Sequence, residues 1–465
     1  MNSGYVVFVS VVAAMGGLLF GYDTAVISGT VEALRQHFQL DPLELGWVVG
    51  SALVGCVAGA AVAGKLTDML GRRAVLAASA LLFLASGLWC YVAPSVEQLV
   101  AARILGGVGV GVASLLVPVY IAELAPPRNR GALVSLNQVA ILIGMVMSYV
   151  ANAWIASMGD NVWLVETGWR IMLGAEAVPA LFFLLLSLIV PESPRWLVKQ
   201  GRTEQACAVL ERLHGPTTAK AELAEIRNAV SHEEGSLMEL FGRGRRGVLI
   251  MAMVLALFQA ITGINIVMYY APTIFTSAGI GTGDALSHSV IIGLVMLLFT
   301  VGSMFLVDRV GRRPIMLFAA AGMGVSLVLL GVMFAAASND GWWLLLWTLT
   351  YVSSFSIGMG GIYWVVVSEI FPTRVRGAAA SLSVVFLWGG NYLVSQFFPA
   401  MLAALKGNVF YLFALMCAVC FLFILVFVPE TKGKTLEQIE AELFGRRGKG
   451  FDADAAHAGR AKAIT

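Results

Sequence analysis

An acidic residue lies inside the first long apolar stretch of the chain, where charged side chains are rare. Asp23 follows Phe20-Gly21-Tyr22 and precedes Thr24. An ionised carboxylate in such surroundings costs several kcal/mol unless it is paired with a cation or protonated. A carboxyl group held in this balance can bind a proton and release it again. Asp23 is therefore predicted to be a proton-binding residue.

Two further charged residues lie in apolar stretches and are candidates to act with Asp23. Arg103 could pair with Asp23 and favour its ionised form, and Glu176 adds a second carboxyl group. The alternative is that Asp23 and Arg103 form a permanent ion pair that pins two helices together. We favour proton coupling through Asp23, Arg103 and Glu176, because ionisable residues within membrane helices usually mark a functional pathway.

Polar side chains form a stripe along the seventh long apolar stretch of the chain. At about 100° per residue, the stripe covers about 120° of a helix surface. Amide and phenol groups on one such stripe are suited to bind a ligand with many hydroxyl groups. The alternative is hydrogen bonding between neighbouring helices, which contributes about 0.6 kcal/mol per pair, and the sequence does not decide between the two. The stripe consists of Gln259, Thr262, Asn265, Ile266 and Tyr269.

Other amides and tryptophans in the apolar stretches extend this set of candidate ligand-binding residues. Gln138 lies in the fifth stretch, Trp364 in the tenth, and Trp388 and Asn391 in the eleventh. Aromatic faces stack on the apolar C–H face of a sugar ring, while amides bond to its hydroxyl groups. Tryptophans also serve simply as packing residues or as part of the belt at the membrane surface.

These residues must be positioned by helices, because the composition is that of a membrane protein. The chain is 59% hydrophobic and only 12% charged, whereas soluble proteins carry about 25% charged residues. A net charge of +2 argues against a nucleic-acid partner. A membrane-spanning helix needs about 20 apolar residues, and the sequence contains twelve such stretches. They are approximately residues 5–28, 44–64, 74–93, 98–121, 131–156, 168–190, 247–278, 287–307, 315–337, 341–370, 378–405 and 409–428.

Three charged motifs recur in the second half of the chain, in the same order as in the first. The common offset predicts a duplicated half, and parallel repeats of six helices are an architecture of membrane transporters. Asp68-Met69-Leu70-Gly71-Arg72-Arg73 returns 240 residues later from Asp308 to Arg313, the motif of Glu123 and Arg130 returns 246 residues later as Glu369 and Arg376, and Pro191-Glu192 returns 238 residues later as Pro429-Glu430.

The sequence therefore predicts an all-α membrane protein with twelve transmembrane helices in two pseudo-symmetric six-helix bundles. Residues 1–190 are predicted to form the N-terminal bundle, and residues 247–428 the C-terminal bundle. Residues 191–246 are predicted to be a cytoplasmic helical linker, and residues 429–465 a cytoplasmic tail. Lys and Arg concentrate in the loops of one side, which places that side and both termini in the cytoplasm. Within the linker, short amphipathic helices are predicted at residues 203–213 and 220–231.

The charged residues of these loops have two interpretations that are compatible with each other. Their positive charge marks the cytoplasmic side. Acidic and basic groups paired at the helix ends of both halves could also form salt bridges that close this side in one state and break in another. The candidate gating residues are Asp68, Arg72, Arg73, Glu123, Arg130, Glu192 and Arg195 in the first half, and Asp308, Arg312, Arg313, Glu369, Arg376 and Glu430 in the second.

The sequence contains no recognisable catalytic or metal-binding motif. Gly59-x-x-x-x-Gly64-Lys65 resembles a phosphate loop, but Leu66 replaces the hydroxyl residue that such a loop uses to bind magnesium. The five histidines lack metal-ligand spacing, and the five cysteines lack a disulfide pattern. We expect neither enzymatic activity nor a bound cofactor, with the proton as the coupling ion.

Taken together, several of these motifs resemble the sugar porter family of the major facilitator superfamily. The resemblance covers nearly all of residues 16–440, and the segment from Gly21 to Gly29 is most similar to the bacterial proton-coupled members. It implies two six-helix bundles around a central sugar site that opens to each side of the membrane in turn. The motifs are the two Gly-Arg-Arg loops, residues 191–195, Gly263-Ile264-Asn265 with Tyr269-Tyr270, and Pro429-Glu430-Thr431.

The family resemblance also implies roles for individual residues. It implies that Asp23, beside Arg103, couples proton movement to transport. It further implies that one set of amide and aromatic side chains binds the sugar in the centre of the protein. This set is Phe20, Gln138, Gln259, Asn265, Tyr269, Trp364, Trp388 and Asn391.

The chain departs from the family pattern at three positions of the implied sugar site. Ala260, Leu387 and Met145 stand where polar residues are expected. Each lost hydrogen bond to a sugar hydroxyl costs about 0.5–1.5 kcal/mol, so the pocket is more apolar than the pattern implies. A pentose, a hexose or a deoxy sugar would each suit such a pocket.

The sequence thus predicts a monosaccharide–proton symporter of the bacterial inner membrane, active as a monomer in the lipid bilayer. One alternative is a facilitative sugar uniporter in which Asp23 is structural, and accumulation against a gradient separates the two. A second alternative is a membrane sugar sensor that signals through its cytoplasmic segment. The short linker and tail leave little room for a signalling module, which disfavours the sensor.

Overall fold

The computed structural model describes residues 3–126, 129–231, 246–336, 341–371 and 373–434, together with residue 438. Every regular element within these residues is helical. The first half contains α1 (Ser3–Val26), α2 (Val31–Phe38), α3 (Pro42–Leu70), α4 (Arg72–Val92), α5 (Val96–Leu124), α6 (Arg130–Ala156), α7 (Asn161–Trp163), α8 (Trp169–Gly174) and α9 (Ala177–Ser187). The polar segment contains α10 (Pro194–Lys199), α11 (Thr203–His214) and α12 (Pro216–Ser231). The second half contains α13 (Arg246–Ile261), α14 (Ile264–Ser277), α15 (Thr282–Val310), α16 (Arg312–Ala335), α17 (Gly341–Phe355), α18 (Gly361–Ile370), α19 (Thr373–Leu405) and α20 (Val409–Phe427).

Eleven helical stretches within the described residues are long and apolar enough to cross a membrane. The last of them, Ala379–Phe427, has 49 residues, which is more than twice the length of about 20 that one crossing needs. A 3-10 turn at Lys406–Asn408 divides this stretch into two passes, and Lys406 has a φ of 51° there. The described helices therefore make twelve passes, as the sequence predicted.

Several membrane helices are interrupted near their middle. Gly263, with a φ of 100°, separates α13 from α14, and a larger residue in this left-handed conformation would cost about 1–2 kcal/mol. The break between α8 and α9 includes Glu176, and Pro179 explains it because a proline ring clashes with the carbonyl of the residue four positions earlier. A π-helical turn, Ser356–Gly360, joins α17 to α18. Such interruptions are where membrane transporters expose polar groups to a ligand.

Glycines allow the helices of the first half to approach one another closely. A Cβ on Gly107 of α5 would lie 1.9 Å from the carbonyl oxygen of Ala52 on α3, and a Cβ on Gly21 of α1 would lie 1.8 Å from the carbonyl oxygen of Ile141 on α6. Small residues at helix contacts are the usual means of close packing within a membrane. As a result, Asp23 on α1 lies deep among the neighbouring helices.

Both halves place their charged turns at one end of the bundle, which we call the charged end. There, α3 is joined to α4 at Gly71, and α15 is joined to α16 at Gly311. At the opposite end, Gln396 of α19 donates a hydrogen bond from Nε2 to the carbonyl oxygen of Leu43, at the start of α3, over 2.9 Å. A Cβ on Gly46 would lie only 1.9 Å from the Gln396 carbonyl oxygen. The two halves are therefore in direct contact at this opposite end.

The short helices α10 to α12 dock on the charged end of the first half. Trp196 on α10 donates from Nε1 to the carbonyl oxygen of Asp68 over 2.9 Å, and its ring packs in a small apolar cluster with Leu197 and Ala206. The two short helices predicted for this segment are confirmed as α11 and α12. Residues 232–245, 435–437 and 439–465 of the linker and tail lie outside the described residues, so the proposed domain boundaries stay a prediction.

Candidate functional site

The acidic residue that the sequence singles out is buried beside the predicted arginine. Asp23 on α1 is 1% exposed and Arg103 on α5 is 2% exposed. Arg103 Nη1 lies 3.7 Å from Asp23 Oδ1, which is long for a hydrogen-bonded ion pair. Within the described part of the chain, Asp23 Oδ2 and Arg103 Nε have no hydrogen-bond partner. The two side chains are therefore close enough to interact, but their hydrogen-bonding groups are not all satisfied, as they would be in a permanent structural ion pair.

Glu176 completes a buried group of three ionisable residues. It lies at the break between α8 and α9, is 2% exposed, and lies close enough to Asp23 for the two carboxyl groups to interact electrostatically. Two carboxylates beside the single guanidinium of Arg103 would leave one negative charge uncompensated. One bound proton would make the group electrically neutral.

The predicted ligand-binding residues are mostly buried, and several have polar atoms without a partner. Gln259 Oε1, Trp388 Nε1 and Asn391 Oδ1 are inaccessible to solvent and make no hydrogen bond within the described residues. Buried polar atoms nearly always have partners, so this unsatisfied set is where a polar ligand would be expected. Asn265 and Tyr269 are buried as well, whereas Phe20 and Gln138 are half-buried.

Gln259 is held in place by the π-helical turn of the second half. Its Nε2 donates to the carbonyl oxygen of Met359 over 3.1 Å. A π-helical turn disturbs the regular backbone ladder and leaves carbonyl groups available to side chains. The amide nitrogen is thereby fixed, and the oxygen of the same amide remains free to accept a hydrogen bond.

An aromatic contact joins the two halves next to this buried group of ionisable residues. Phe20 on α1 and Trp388 on α19 have ring centroids 5.5 Å apart and meet edge to face. Phe20 precedes Asp23 by three residues, which places the two side chains on neighbouring parts of one helix face. A ligand that touches Phe20 or Trp388 would therefore sit about one helical turn from the buried carboxyl groups.

Trp364 differs from the other predicted ligand-binding residues. It is 38% exposed, the largest exposure in the set, and its ring packs against Tyr363 at 5.0 Å between centroids. The three positions that depart from the family pattern, in contrast, are all buried. Ala260, Leu387 and Met145 are 0%, 6% and 2% exposed, so each places an apolar side chain inside the protein.

Tyr149 was not identified from the sequence, although it joins the two halves. Its hydroxyl, on α6, donates to the carbonyl oxygen of Met268 on α14 over 3.0 Å. Pro272 lies four residues after Met268 and has no backbone N–H, so it leaves this carbonyl without its helical donor. A proline inside a predicted helix is the sequence signal for such a free carbonyl, but the sequence does not show which side chain will bind it.

The charged turn of the first half is held by three acidic residues. Arg72 donates to Glu123 from Nε and Nη2, both over 3.0 Å, and its Nη1 lies 3.3 Å from Asp68 Oδ1. Glu192 accepts from the backbone N–H of Arg72 over 2.8 Å and from that of Arg73 over 3.2 Å. The loop motifs of the sequence therefore form one connected cluster.

The second half repeats this arrangement. Arg312 Nη2 lies 3.0 Å from Glu369 Oε1, and Glu430 accepts from the backbone N–H groups of Arg312 and Arg313, each over 3.1 Å. Burial alone would raise the pKa of Glu430, but these N–H donors and that of Lys432 outweigh it and hold its pKa below the ordinary value. These ion pairs join residues of the same half.

The remaining predicted gating residues are Arg130, Arg195, Asp308 and Arg376. Arg130 is exposed at the start of α6, and Arg195 is half-buried at the start of α10. The side chains of Asp308 and Arg376 lie outside the described part of the structure. That the charged clusters close this end in another state stays a prediction.

Comparisons with known proteins are consistent across sequence and structure. The sequence model of the family described as "Sugar (and other) transporter" matches residues 9–443. The arabinose-proton symporter of Bacillus subtilis is 41% identical over 441 residues, which cover 94% of this chain and 95% of that protein. The D-xylose-proton symporter of Escherichia coli K12 is 42% identical over 476 aligned positions, which cover 95% of this chain and 96% of that protein.

Solved structures of the xylose transporter from E. coli share the fold. Its partially occluded inward-open conformation matches with a TM-score of 0.85 at 40% identity, covering 93% of this chain and all, 100%, of that one. Its complex with 6-bromo-6-deoxy-D-glucose matches with a TM-score of 0.79 at 41% identity, covering 95% and 100%.

Proposed function

Because the chain belongs to the sugar transporter family, as a sugar porter of the major facilitator superfamily, we propose that it is a proton-coupled monosaccharide symporter. It is a multi-pass membrane protein with the twelve-helix fold, and it works by alternating access. The observation that carries this proposal is the buried group of Asp23, Glu176 and Arg103, which lies one helical turn from the Phe20–Trp388 contact. A proton site and a ligand site are thereby connected through a single helix.

Coupling follows from the charge of the buried group. Without a proton, Asp23, Glu176 and Arg103 carry one net negative charge in an apolar setting, which is costly. A proton from outside neutralises the group and lowers the cost of closing the helices around a sugar. After sugar is released inside, the proton leaves as well. Because both ligands bias one conformational equilibrium, proton and sugar must each raise the affinity for the other by the same factor.

The orientation in the membrane is proposed from the distribution of charge. The charged end carries the two Gly-Arg-Arg turns and helices α10 to α12, and positive loops remain in the cytoplasm. We therefore place the charged end and both termini in the cytoplasm of a bacterial cell, with the protein in its inner membrane. The contacts between the halves at the opposite end then correspond to an inward-facing conformation of a functional monomer.

The substrate is proposed to be a pentose, a hexose or a deoxy sugar. Gln259 Oε1 and Asn391 Oδ1 can each accept a hydrogen bond from a hydroxyl, and Trp388 Nε1 can donate one. The aromatic rings offer faces for the C–H side of a sugar. The apolar side chains of Leu387 and Met145 offer no hydrogen bonds to further hydroxyl groups, which favours a sugar with fewer hydroxyl groups.

The test is uptake of a labelled sugar panel into proteoliposomes, with and without an inward proton gradient, by wild type and Asp23→Asn. We expect the wild type to accumulate one sugar when the gradient is present. The variant should keep sugar exchange but lose accumulation, since an amide cannot carry the coupling proton. Asp284→Asn, which alters a carboxylate at the start of α15, is the matched control and should accumulate normally.

Other outcomes discriminate the alternatives. Uptake that only equilibrates, with no response to the gradient in either protein, would support a facilitative uniporter in which Asp23 is structural. If no sugar of the panel moves, the apolar residues at 145, 260 and 387 have changed the substrate class, and sugar transport itself is the wrong proposal.

A further inference from the structure

A buried histidine in the cytoplasmic helices has hydrogen-bond acceptors at both of its ring nitrogens. His214, the last residue of α11, is only 4% exposed. Its Nε2 lies 3.1 Å from the carbonyl oxygen of Leu124, at the end of α5. Its Nδ1 contacts the carboxylate of Glu222 on α12. The imidazole thus bridges two cytoplasmic helices and a membrane helix.

The chemistry of the two acceptors fixes how many protons the contact holds. A backbone carbonyl can only accept a hydrogen bond, so Nε2 must carry a proton. An ionised carboxylate also only accepts, so Nδ1 must carry a second proton unless Glu222 is itself protonated. In either case, the contact holds one proton more than a neutral imidazole and an ionised carboxylate would hold together.

The bridged membrane helix ends at the charged cluster. Leu124 directly follows Glu123, the residue that binds the Arg72 guanidinium. Two residues before the end of α11, Arg212 stacks over the ring of Tyr5 on α1 at 5.0 Å. Helix α11 therefore contacts the first half at two points, through His214 and through Arg212. Of the two, only the histidine contact depends on a proton that the imidazole and the carboxylate share.

We propose that His214 is a positioning residue for the cytoplasmic charged cluster and that cytoplasmic protons control its contact. When His214 and Glu222 hold the extra proton, α11 and α12 are bound to the end of α5 and keep Glu123 in place against Arg72. When that proton is lost, one of the two hydrogen bonds loses its donor. Cytoplasmic pH then tunes the rate of transport, independently of the proton that travels with the sugar.

Among the described charged groups near His214, Glu222 is the one in contact with the imidazole ring. On its own helix, Arg212 is stacked on Tyr5, and Glu211 lies 3.7 Å from Cys207 Sγ. On α5, Glu123 is bound by Arg72. Arg128, which follows the end of α5, lies outside the described residues.

The sign of the effect follows from proton counting. The bound arrangement holds more protons than the separated helices, so it is favoured when the cytoplasm is acidic. It is lost as the cytoplasmic pH rises, because the extra proton is then released. A symporter that delivers protons to the cytoplasm would thus strengthen this contact as it works.

The structural part of the proposal can be tested without any sugar. Amide hydrogen exchange of residues 203–231 would be measured on the full-length protein in detergent between pH about 6 and about 8, with correction for intrinsic rates. In the wild type, we expect protection of α11 and α12 to fall by about tenfold across this range, because one charge-assisted hydrogen bond is lost. Unchanged protection in the wild type would overturn the proposal.

Three variants assign the effect to this contact. His214→Gln should show weak protection at every pH, and Glu222→Gln should keep protection without a pH step, because a glutamine amide can donate to a neutral imidazole. Glu225→Gln removes an equal charge from an exposed position of α12 and should behave like the wild type. A pH step that persists in His214→Gln would overturn the assignment.

The link to transport has its own readout, which rests on the proposed function. Sugar exchange in proteoliposomes would be measured at fixed external pH while the internal pH is varied over the same range. We expect a severalfold change with internal pH in the wild type and in Glu225→Gln, and a flat profile in His214→Gln and Glu222→Gln. A step in protection with no corresponding step in exchange would overturn the link to the gate, whereas absence of all sugar exchange would count against the proposed function alone.

Discussion

Glu430 is bound by the backbone of a turn more than by any side chain. It accepts hydrogen bonds from the N–H groups of Arg312, Arg313 and Lys432. The turn brings Gly311 so close that a Cβ there would lie 2.7 Å from Glu430 Oε2, and its φ of 107° suits only glycine. The sequence motif Gly-Arg-Arg and the distant Pro-Glu are therefore two parts of one structure.

We predict that Glu430→Gln lowers the thermal stability of the protein at neutral pH. The variant should also lose the part of the fall in stability at acidic pH that Glu430 causes in the wild type. The pKa of Glu430 is lowered in the folded protein, after N–H donation outweighs burial, so its contribution is present above its unfolded pKa and is lost as pH falls through the lowered value. The side chain is partly exposed, so the effect is small, about 1 to 3 °C in Tm. Thermal unfolding in detergent from neutral to acidic pH measures it.

The control for this prediction is Glu166→Gln, which neutralises an exposed carboxylate away from the charged end. It should leave both the neutral-pH stability and the acid dependence of the wild type unchanged. An acid dependence equally strong in Glu430→Gln and the wild type would show that other carboxylates are responsible.

At the residue scale, the sequence predicts a single charged side chain better than it predicts a network of side-chain contacts. The carboxylate of Asp23 stands out because it interrupts an apolar stretch. Arg103 stands out in the same way, as a cation within another apolar stretch. The contact of Glu176 with Asp23 depends on the break before Pro179, which fixes the position of the carboxyl group in space. His214 and its two acceptors come from three helices, so no single sequence window contains the contact.

At the scale of elements, two prolines inside helices of the second half are matched by tyrosines on neighbouring helices. Pro272 frees the carbonyl of Met268, which accepts from Tyr149. In the same way, Pro399 frees the carbonyl of Ser395, which accepts from Tyr270 over 2.9 Å. Such pairing satisfies backbone groups that would otherwise be costly within a membrane. The proline is visible in the sequence, whereas the donor is set by how the helices pack.

Close helix contact between the halves leads to a second prediction. Gly46 on α3 faces α19, and a Cβ there would lie 1.9 Å from the Gln396 carbonyl oxygen. We expect Gly46→Ala to hinder closure of the end opposite the charged end and so to favour the outward-facing state. A cysteine at Thr273, which lines the cavity at that end, should be labelled faster by an impermeant maleimide in a cysteine-free background.

Gly64→Ala on the same helix is the matched control, since nothing lies within 4 Å of a Cβ at that position. Its labelling rate should equal that of the parent. Equal labelling of Gly46→Ala and its parent would mean that α3 and α19 do not limit closure at this end.

At the scale of the whole molecule, the duplication of the chain is readable and the relation between the halves is not. Offsets of about 240 residues predict two similar bundles, and Gly71 with Glu192 corresponds in space to Gly311 with Glu430. The ion pairs of each charged cluster lie within one half, so these motifs impose no single angle between the halves. Contacts between the halves, such as that of Phe20 with Trp388, involve residues outside the repeated motifs.

Tyr149 offers a way to measure the balance between the two states. Its bond to the Met268 carbonyl links α6 of the first half to α14 of the second, whereas the bond of Tyr270 to the Ser395 carbonyl lies within the second half. Both hydroxyls bind a carbonyl that a proline has freed, and both side chains are buried. Either substitution to Phe removes the same kind of hydrogen bond. Only Tyr149→Phe removes a bond that must break when the halves separate at the end opposite the charged end.

We therefore expect Tyr149→Phe to raise the outward-facing population by about twofold to tenfold, the equivalent of one hydrogen bond. Because only the outward-facing state binds sugar from outside, the apparent affinity for external sugar should improve by a similar factor. Tyr270→Phe should lower thermal stability to a comparable degree without changing that affinity. If both variants change the affinity equally, or neither does, the bond between the halves does not set the conformational balance, and the closed end is held by helix packing at Gly46 instead.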